Sequence, residues 1–164
     1  MASGQTLMQW HSYSNEQPAT GGARLTVRNG HPVLTFLPGV DEDAILSGIL
    51  PQSYQGGGLR VLAHFSMAAG TGGGTVDLEA AFERVGIEQQ DVDSDGFAAA
   101  QGVSDIAVPA TSGHVKAQQI GFQDGAQIDN LAVGEKFRLR IRRKGTVDDA
   151  PDAMELHLVE LREG

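Results

Sequence analysis

The chain has 164 residues, with 12 Lys and Arg against 21 Asp and Glu, a formal net charge of −9, and no cysteine. This length suits a single domain, which buries roughly 68–70% of its unfolded surface. The acidic balance disfavours a general phosphate-backbone binder, and the missing thiols rule out disulfides and thiolate chemistry.

The sequence opens Met-Ala-Ser-Gly-Gln-Thr, with no basic stretch followed by an apolar one. No signal peptide is expected, therefore, and no apolar run approaches the ~18 residues that span a bilayer. The expectation is synthesis and retention in the cytosol, or release as part of a particle. Residues 1–23 are rich in Ser, Gln, Thr and Gly, with Leu7, Met8, Trp10 and Tyr13 as apolar exceptions. They are read as an N-terminal arm. Trp and Tyr are common anchors of protein interfaces, so these four residues are candidates for a partner contact. Fraying of the terminus, or packing of Trp10 within its own chain, would explain the segment equally well.

The ordered body is expected over residues 24–164. Leu25 and Val27 alternate with Arg24, Thr26 and Arg28, Asn29-Gly30 signals a two-residue turn, and Val33 to Phe36 resumes strand character. Asp41-Glu42-Asp43 is read as a solvated loop before a strand over Ala44–Leu50. The clearest period-two run follows the Gly56-Gly57-Gly58 turn. Leu59, Val61, Ala63, Phe65 and Met67 share one face, and Arg60, Leu62, His64 and Ser66 the other. The second face, with Leu62 and His64, is less polar than a solvent face should be. A loop or another subunit would account for that.

Ala68–Gly74 reads as a flexible hairpin connection. It is no phosphate-cradling loop, because no Lys-Ser or Lys-Thr pair and no helix follow it. Thr75–Val85 alternates as a strand, with a helix as the competing reading. Residues 86–113 form an irregular excursion, with a short helical turn at Phe97–Gln101 and a strand at Val103–Val108. Val115–Phe122 is a strand whose phase slips at Gln118-Gln119, which suggests a bulge. Lys136–Lys144 alternates Phe137, Leu139 and Ile141 with Lys136, Arg138, Arg140 and Arg142, and a closing strand runs from Ala153 to Leu161. Eight or nine strands and no secure helix point to an all-β antiparallel sandwich.

Candidate sites are few. Asp91, Asp93, Asp95 and Gly96 spell half of a calcium loop, but its twelfth position is Gly102 where a bidentate Glu is needed. An acidic turn capping its own amides is favoured. Lys136, Arg138, Arg140, Arg142, Arg143 and Lys144 hold half of the 12 basic residues. Cross-strand pairing with Glu79, Glu83 or Glu155 is the first account of them, and a subunit contact through Arg138, Arg140 and Arg142 the second. Nucleic acid ranks last, since no aromatic of the strand shares the arginines' face and base stacking is unsupported. His11, His31, His64, His114 and His157 show no ligand spacing, and no G-x-S-x-G elbow appears. No catalytic residue, cofactor or metal is therefore assigned.

Several phrases resemble small virion proteins of tailed bacteriophages. They are Asn29 to Phe36, Leu50-Pro51-Gln52-Ser53-Tyr54-Gln55-Gly56-Gly57-Gly58-Leu59, Val92 to Ala98, and Leu131 to Arg140 with Arg142. The likeness spans about residues 24–162 and leaves the arm outside. It implies a jelly-roll sandwich acting as a capsid decoration (cement) protein or a tail-associated protein, usually trimeric, and it carries no site residues. The expectation is thus a non-enzymatic virion protein, assembled in the host cytoplasm as a homotrimer on the major capsid protein or another virion protein, without nucleic acid or membrane contacts. The alternative is a tail-tip or fibre domain that binds a host surface glycan. Scarce aromatics, 5% of the chain, weigh against sugar stacking.

Overall fold

A computed structural model describes residues 4–70 and 73–164. Met1–Ser3, and Thr71 and Gly72 within the expected hairpin connection, lie outside the described residues. The strands are β1 (Thr6–His11), β2 (Arg24–Arg28), β3 (His31–Phe36), β4 (Asp41–Ile49), β5 (Leu59–Met67), β6 (Thr75–Val85), β7 (Gln101–Ala107), β8 (Lys116–Phe122), β9 (Lys136–Lys144) and β10 (Met154–Glu163). Three-residue 3-10 turns occur at Ser12–Ser14 and Ala126–Ile128. Two antiparallel sheets result. One runs β2-β3-β10-β5-β8, with β1 also on β10, and the other runs β4-β9-β6-β7.

The period-two faces decide the layers. Leu59, Val61, Ala63, Phe65 and Met67 of β5 are all buried, and they meet Phe137, Leu139 and Ile141 of β9 and Phe82 of β6 in one core. Phe82 packs edge-on against Phe122 with ring centroids 4.8 Å apart, a favoured aromatic arrangement across the sandwich. The Asn29-Gly30 turn has positive φ at both residues, as a two-residue hairpin of this sense requires.

The ordered body begins at Thr6, not near Arg24. β1 pairs with β10 from Thr6↔Arg162 to His11↔Leu158, and so supplies the neighbour that β10 lacks beyond the end of β3. Trp10 faces inward, only 6% exposed. Its indole N–H donates to Ser47 O at 2.9 Å, and its ring meets Phe137 edge-on at 6.0 Å. Gly48 makes room for this: a Cβ there would stand 3.2 Å from the indole and 2.5 Å from Met8 Sδ. Intramolecular packing therefore explains Trp10.

Other expectations shift as well. Asp41–Asp43 belong to β4 rather than to a loop, because β9 offers them Lys144, Arg143 and Arg142 in register. Phe97–Ala100 forms no helical turn, and Gln101 already belongs to β7. The β5–β8 register is continuous through Gln118-Gln119, and the irregularities fall instead between Thr6 and Met8, Val76 and Leu78, and Leu156 and Leu158. Asp91 caps its own turn, its carboxylate accepting from the Asp93 N–H at 3.0 Å.

Arg143 continues the inward phase of β9 and is fully buried. Nε and Nη2 bind the Asp148 carboxylate at 2.8 and 3.0 Å, Nη1 donates to Phe36 O and Asp152 O, and Nη2 also to Ala150 O. Breaking such a pair strands a buried charge, so Asp148→Asn or Arg143→Met is expected to cost about 3–5 kcal/mol in urea unfolding. Trp10→Ala is expected to cost a similar ~3–5 kcal/mol. A chain lacking residues 1–13 should melt lower than the full chain; an unchanged melting temperature would return the segment to the status of an arm.

Candidate functional site

The two sheets treat their outer faces differently. On the four-stranded sheet the basic strand is occupied. Arg138 binds Glu16 at 2.9 Å and Glu83 at 2.8 Å, and Arg142 grips Asp43 at 2.6 and 2.9 Å. Arg140 and Arg142 lie 3.7 and 3.5 Å from Glu79. Phe97 sits beneath the Arg138 and Arg140 guanidiniums, 5.5 and 5.1 Å from its ring centroid. Of the three acids expected to pair with this strand, Glu79 and Glu83 do so, whereas Glu155 lies in the other sheet and pairs with Arg28. The interface candidates thus do not converge: Leu7 and Met8 are half-buried against the core, Trp10 is inside it, and Tyr13 is 68% exposed in the first 3-10 turn.

The outer face of the six-stranded sheet is built around β10 and β5. Register sets Glu155 opposite Ser66, Leu158 opposite His64, Glu160 opposite Leu62 and Arg162 opposite Arg60. Beyond β5, β8 adds Ala117, Gln119 and Gly121 in the same rows. The shift between Leu156 and Leu158 makes His157 the extra residue of a bulge, which turns its ring toward Ser66.

At one end, Ser66 Oγ lies 2.7 Å from His157 Nε2 and 3.2 Å from Glu155 Oε2, which also receives Arg28 Nη1 at 2.6 Å. A serine has one proton and a carboxylate only accepts. Ser66 therefore donates to Glu155 and accepts the His157 Nε2–H, and the neutral ring keeps Nδ1 as an open acceptor. Burial pushes the His157 pKa below the usual histidine range; nearby Glu155 opposes this, while His31, Arg28 and His64 reinforce it. A cleft of about 320 Å³ opens here between Asn29 and His31 of the hairpin and Gly113 and Val115 before β8. A second, of about 220 Å³, shares His31 and His157 and reaches His11 and Leu158. The Ser-His-Glu grouping is not a nucleophilic triad. Ser66 is fully buried, and the acid contacts the serine instead of the far ring nitrogen.

In the middle, Glu160 accepts Arg162 at 2.8 and 2.9 Å and the Thr6 hydroxyl, bonds that hold its carboxyl below the usual range against the effect of burial. His64 Nε2 is 3.7 Å from Glu160 and makes no hydrogen bond among the described residues. At the other end a cleft of about 430 Å³ lies where β5 begins and β8 ends, lined by Arg60, Gly121 and the amides of Gln101, Gln123 and Gln127. The Gly56–Gly58 turn beside it is tied down by Tyr54, whose hydroxyl donates to Asp124 at 2.6 Å and accepts the Gly58 N–H.

Sequence reasoning did not assemble Arg28, Ser66, Glu155 and His157. A signal existed: Met154 and Leu156 occupy one phase of the closing strand and Leu161 the other, so a residue had to be inserted between them.

No protein-family model matches the sequence, and no curated protein matches it. Among solved structures, the xylan-binding module CBM15 superposes with a TM-score of 0.50 at 10% identity, covering 99% of this chain and 95% of that one. The CBM22-1 xylan-binding domain of Paenibacillus barcinonensis Xyn10C gives 0.44 at 16% identity over 99% and 96% of the two chains. The CBM6cm-2 module of Cellvibrio mixtus lichenase 5A, solved with cellotriose, gives 0.44 at 11% identity over 98% and 99%. At these identities the likeness shows the fold, and the chain is a β-sandwich of the jelly-roll kind.

Because His157 is held neutral in the fold, the unfolded chain takes up a proton first as pH falls. The stability it contributes is complete above the ordinary histidine pKa of about 6.5 and is lost as pH drops below it. Wild type should lose melting temperature between pH ~7.5 and ~5, above the range where carboxylates titrate. His157→Gln should flatten that slope, and an unaltered slope would remove His157 as its source.

Proposed function

We propose that the chain is a non-catalytic binding module that holds a glycan along the outer face of its six-stranded sheet. One observation carries this reading: a single polar face has clefts at both ends and unspent hydrogen-bonding groups along it. From Arg60 to Ser66 the face runs about 20 Å, at ~3.3 Å per strand residue. His31, His157 Nδ1 and Gln119 can each bind a hydroxyl, which donates and accepts by turns. Tyr13, the one aromatic among the exposed large hydrophobic side chains, follows in sequence His11 and Ser12 of the smaller cleft and is free to stack on a sugar. The xylan-binding module CBM15, which has the same fold, supports the reading by analogy of architecture.

The virion role implied by the sequence resemblance competes with it, either as a capsid-stabilising trimer or as a glycan-binding tail component. The tail version is the same chemistry in another setting. Affinity electrophoresis through a panel of soluble polysaccharides is the test. The full chain should be retarded by at least one of them, and His157→Ala should weaken binding about two- to ten-fold, the worth of one neutral hydrogen bond. No retardation across the panel, with a trimer by light scattering, would turn the assignment to the capsid role.

A further inference from the structure

The strand register sets Arg60 directly opposite Arg162 on the outer face. Like charges so placed repel and weaken the pairing. The carboxylate of Glu160, two residues before Arg162, has both its oxygens taken by Arg162. Among the described residues the Arg60 guanidinium makes no ion pair or hydrogen bond. Shortage of acids does not explain this, since the chain carries 21 Asp and Glu against 12 Lys and Arg. Arg28, Arg84, Arg138, Arg140, Arg142, Arg143 and Arg162 all have acidic partners. Arg24, the other arginine without an ion pair, is exposed on the edge strand β2, whereas Arg60 is half-buried at a cleft.

The surroundings of Arg60 are open and lack acidic side chains. Its other cross-strand neighbour is Gly121, where a Cβ would meet no atom within 4 Å. No Asp or Glu side chain lines the 430 Å³ cleft. Gln127 is fixed there by accepting the Gln123 N–H at 2.7 Å, which leaves its amide N–H groups to donate. A planar guanidinium fork beside a vacant glycine matches a planar carboxylate, bound through two parallel N–H···O bonds, and the glutamines suit the hydroxyls around it.

We infer that Arg60 receives a carboxylate carried by the glycan, so that the module selects chains bearing uronic acid. This rests on the glycan-binding reading and adds the ligand class to it. The partner chain supplies the anion that no side chain of the cleft provides, and the repulsion between Arg60 and Arg162 is relieved on binding.

Calorimetric titration with matched oligosaccharides tests it: one backbone, neutral, uronate-bearing or sulfated, against the full chain. Wild type should bind the uronate form about ten- to a hundred-fold tighter than the neutral form, the range for a charge-assisted pair. The margin should shrink as salt is raised. Arg60→Gln should abolish the margin while neutral binding persists. Gly121→Val, which fills the open space with a residue suited to a strand, should do the same with Arg60 intact. Melting curves confirm that both variants fold. Equal binding of uronate and neutral forms would overturn this inference and leave the glycan reading standing. Equal or tighter binding of the sulfated form would overturn the commitment to a carboxylate. Failure of every oligosaccharide and of the polysaccharide panel would overturn both.

Discussion

A guanidinium with no access to water must spend every donor on protein acceptors, and Arg143 does so. Its five N–H groups meet two oxygens of Asp148 and the carbonyls of Phe36, Ala150 and Asp152. Three of those residues lie in the loop that brings the chain from β9 in one sheet to β10 in the other, while Phe36 ends β3. The pair therefore sets where β10 starts. That matters because β10 is the strand on which the larger sheet depends: β3 covers the first part of one edge, β1 the rest, and β5 runs along the other edge. Residual desolvation makes a buried ion pair weak evidence for net stability. Its value here is geometric, since only one path of the loop supplies all five acceptors.

With β10 fixed, the two outer faces diverge in how they use charge. On the four-stranded sheet the arginines of β9 are interleaved with acids of β4 and β6 and roofed by Phe97 and Glu16, so the charges cancel within the protein. On the six-stranded sheet the bulge at His157 interrupts the ladder and the pairing is incomplete. Arg28, Ser66, Glu155 and His157 close one network at one end, and Arg60 is left over at the other. Bulges recur where a sheet must re-aim a side chain, and here the re-aimed residue lines two of the three clefts on or beside that face.

The fold was largely legible because alternation is a local signal. The faces of β5, β6 and β9 are visible in Leu59 to Met67, Thr75 to Val85 and Lys136 to Ile141, and the structure keeps each. What escaped depended on pairings distant in sequence. Thr6–His11 has three apolar residues without strict alternation and reads as a strand only once β10 is seen to need a neighbour, and Asp41–Asp43 reads as a loop until β9 brings arginines beside it. Phe97 has helix-forming neighbours, yet its ring lies against the guanidiniums of Arg138 and Arg140, distant in sequence, and no helical turn forms. The face at the candidate site had a faint trace in Leu62 and His64, whose apolar character hinted at cover. The residues that shape that site come from β2, β3, β5, β8 and β10, a grouping no window of sequence contains.

The scarcity of aromatics bears on how such a face would work. A sugar held by hydrogen bonds replaces water that bonds nearly as well, so each neutral contact yields little net affinity. Stacking would add to this, but the face itself offers only Leu62 and Leu158 as sizeable apolar side chains, both largely covered. A charge-assisted contact escapes the limit, because a half-buried guanidinium without a protein partner has already lost part of its hydration and gains more from an anion than a neutral donor gains from a hydroxyl. In a chain of net charge −9 the general field repels anionic ligands. Attraction would then have to be local, and selection between neutral and acidic glycans would fall to the cleft at Arg60.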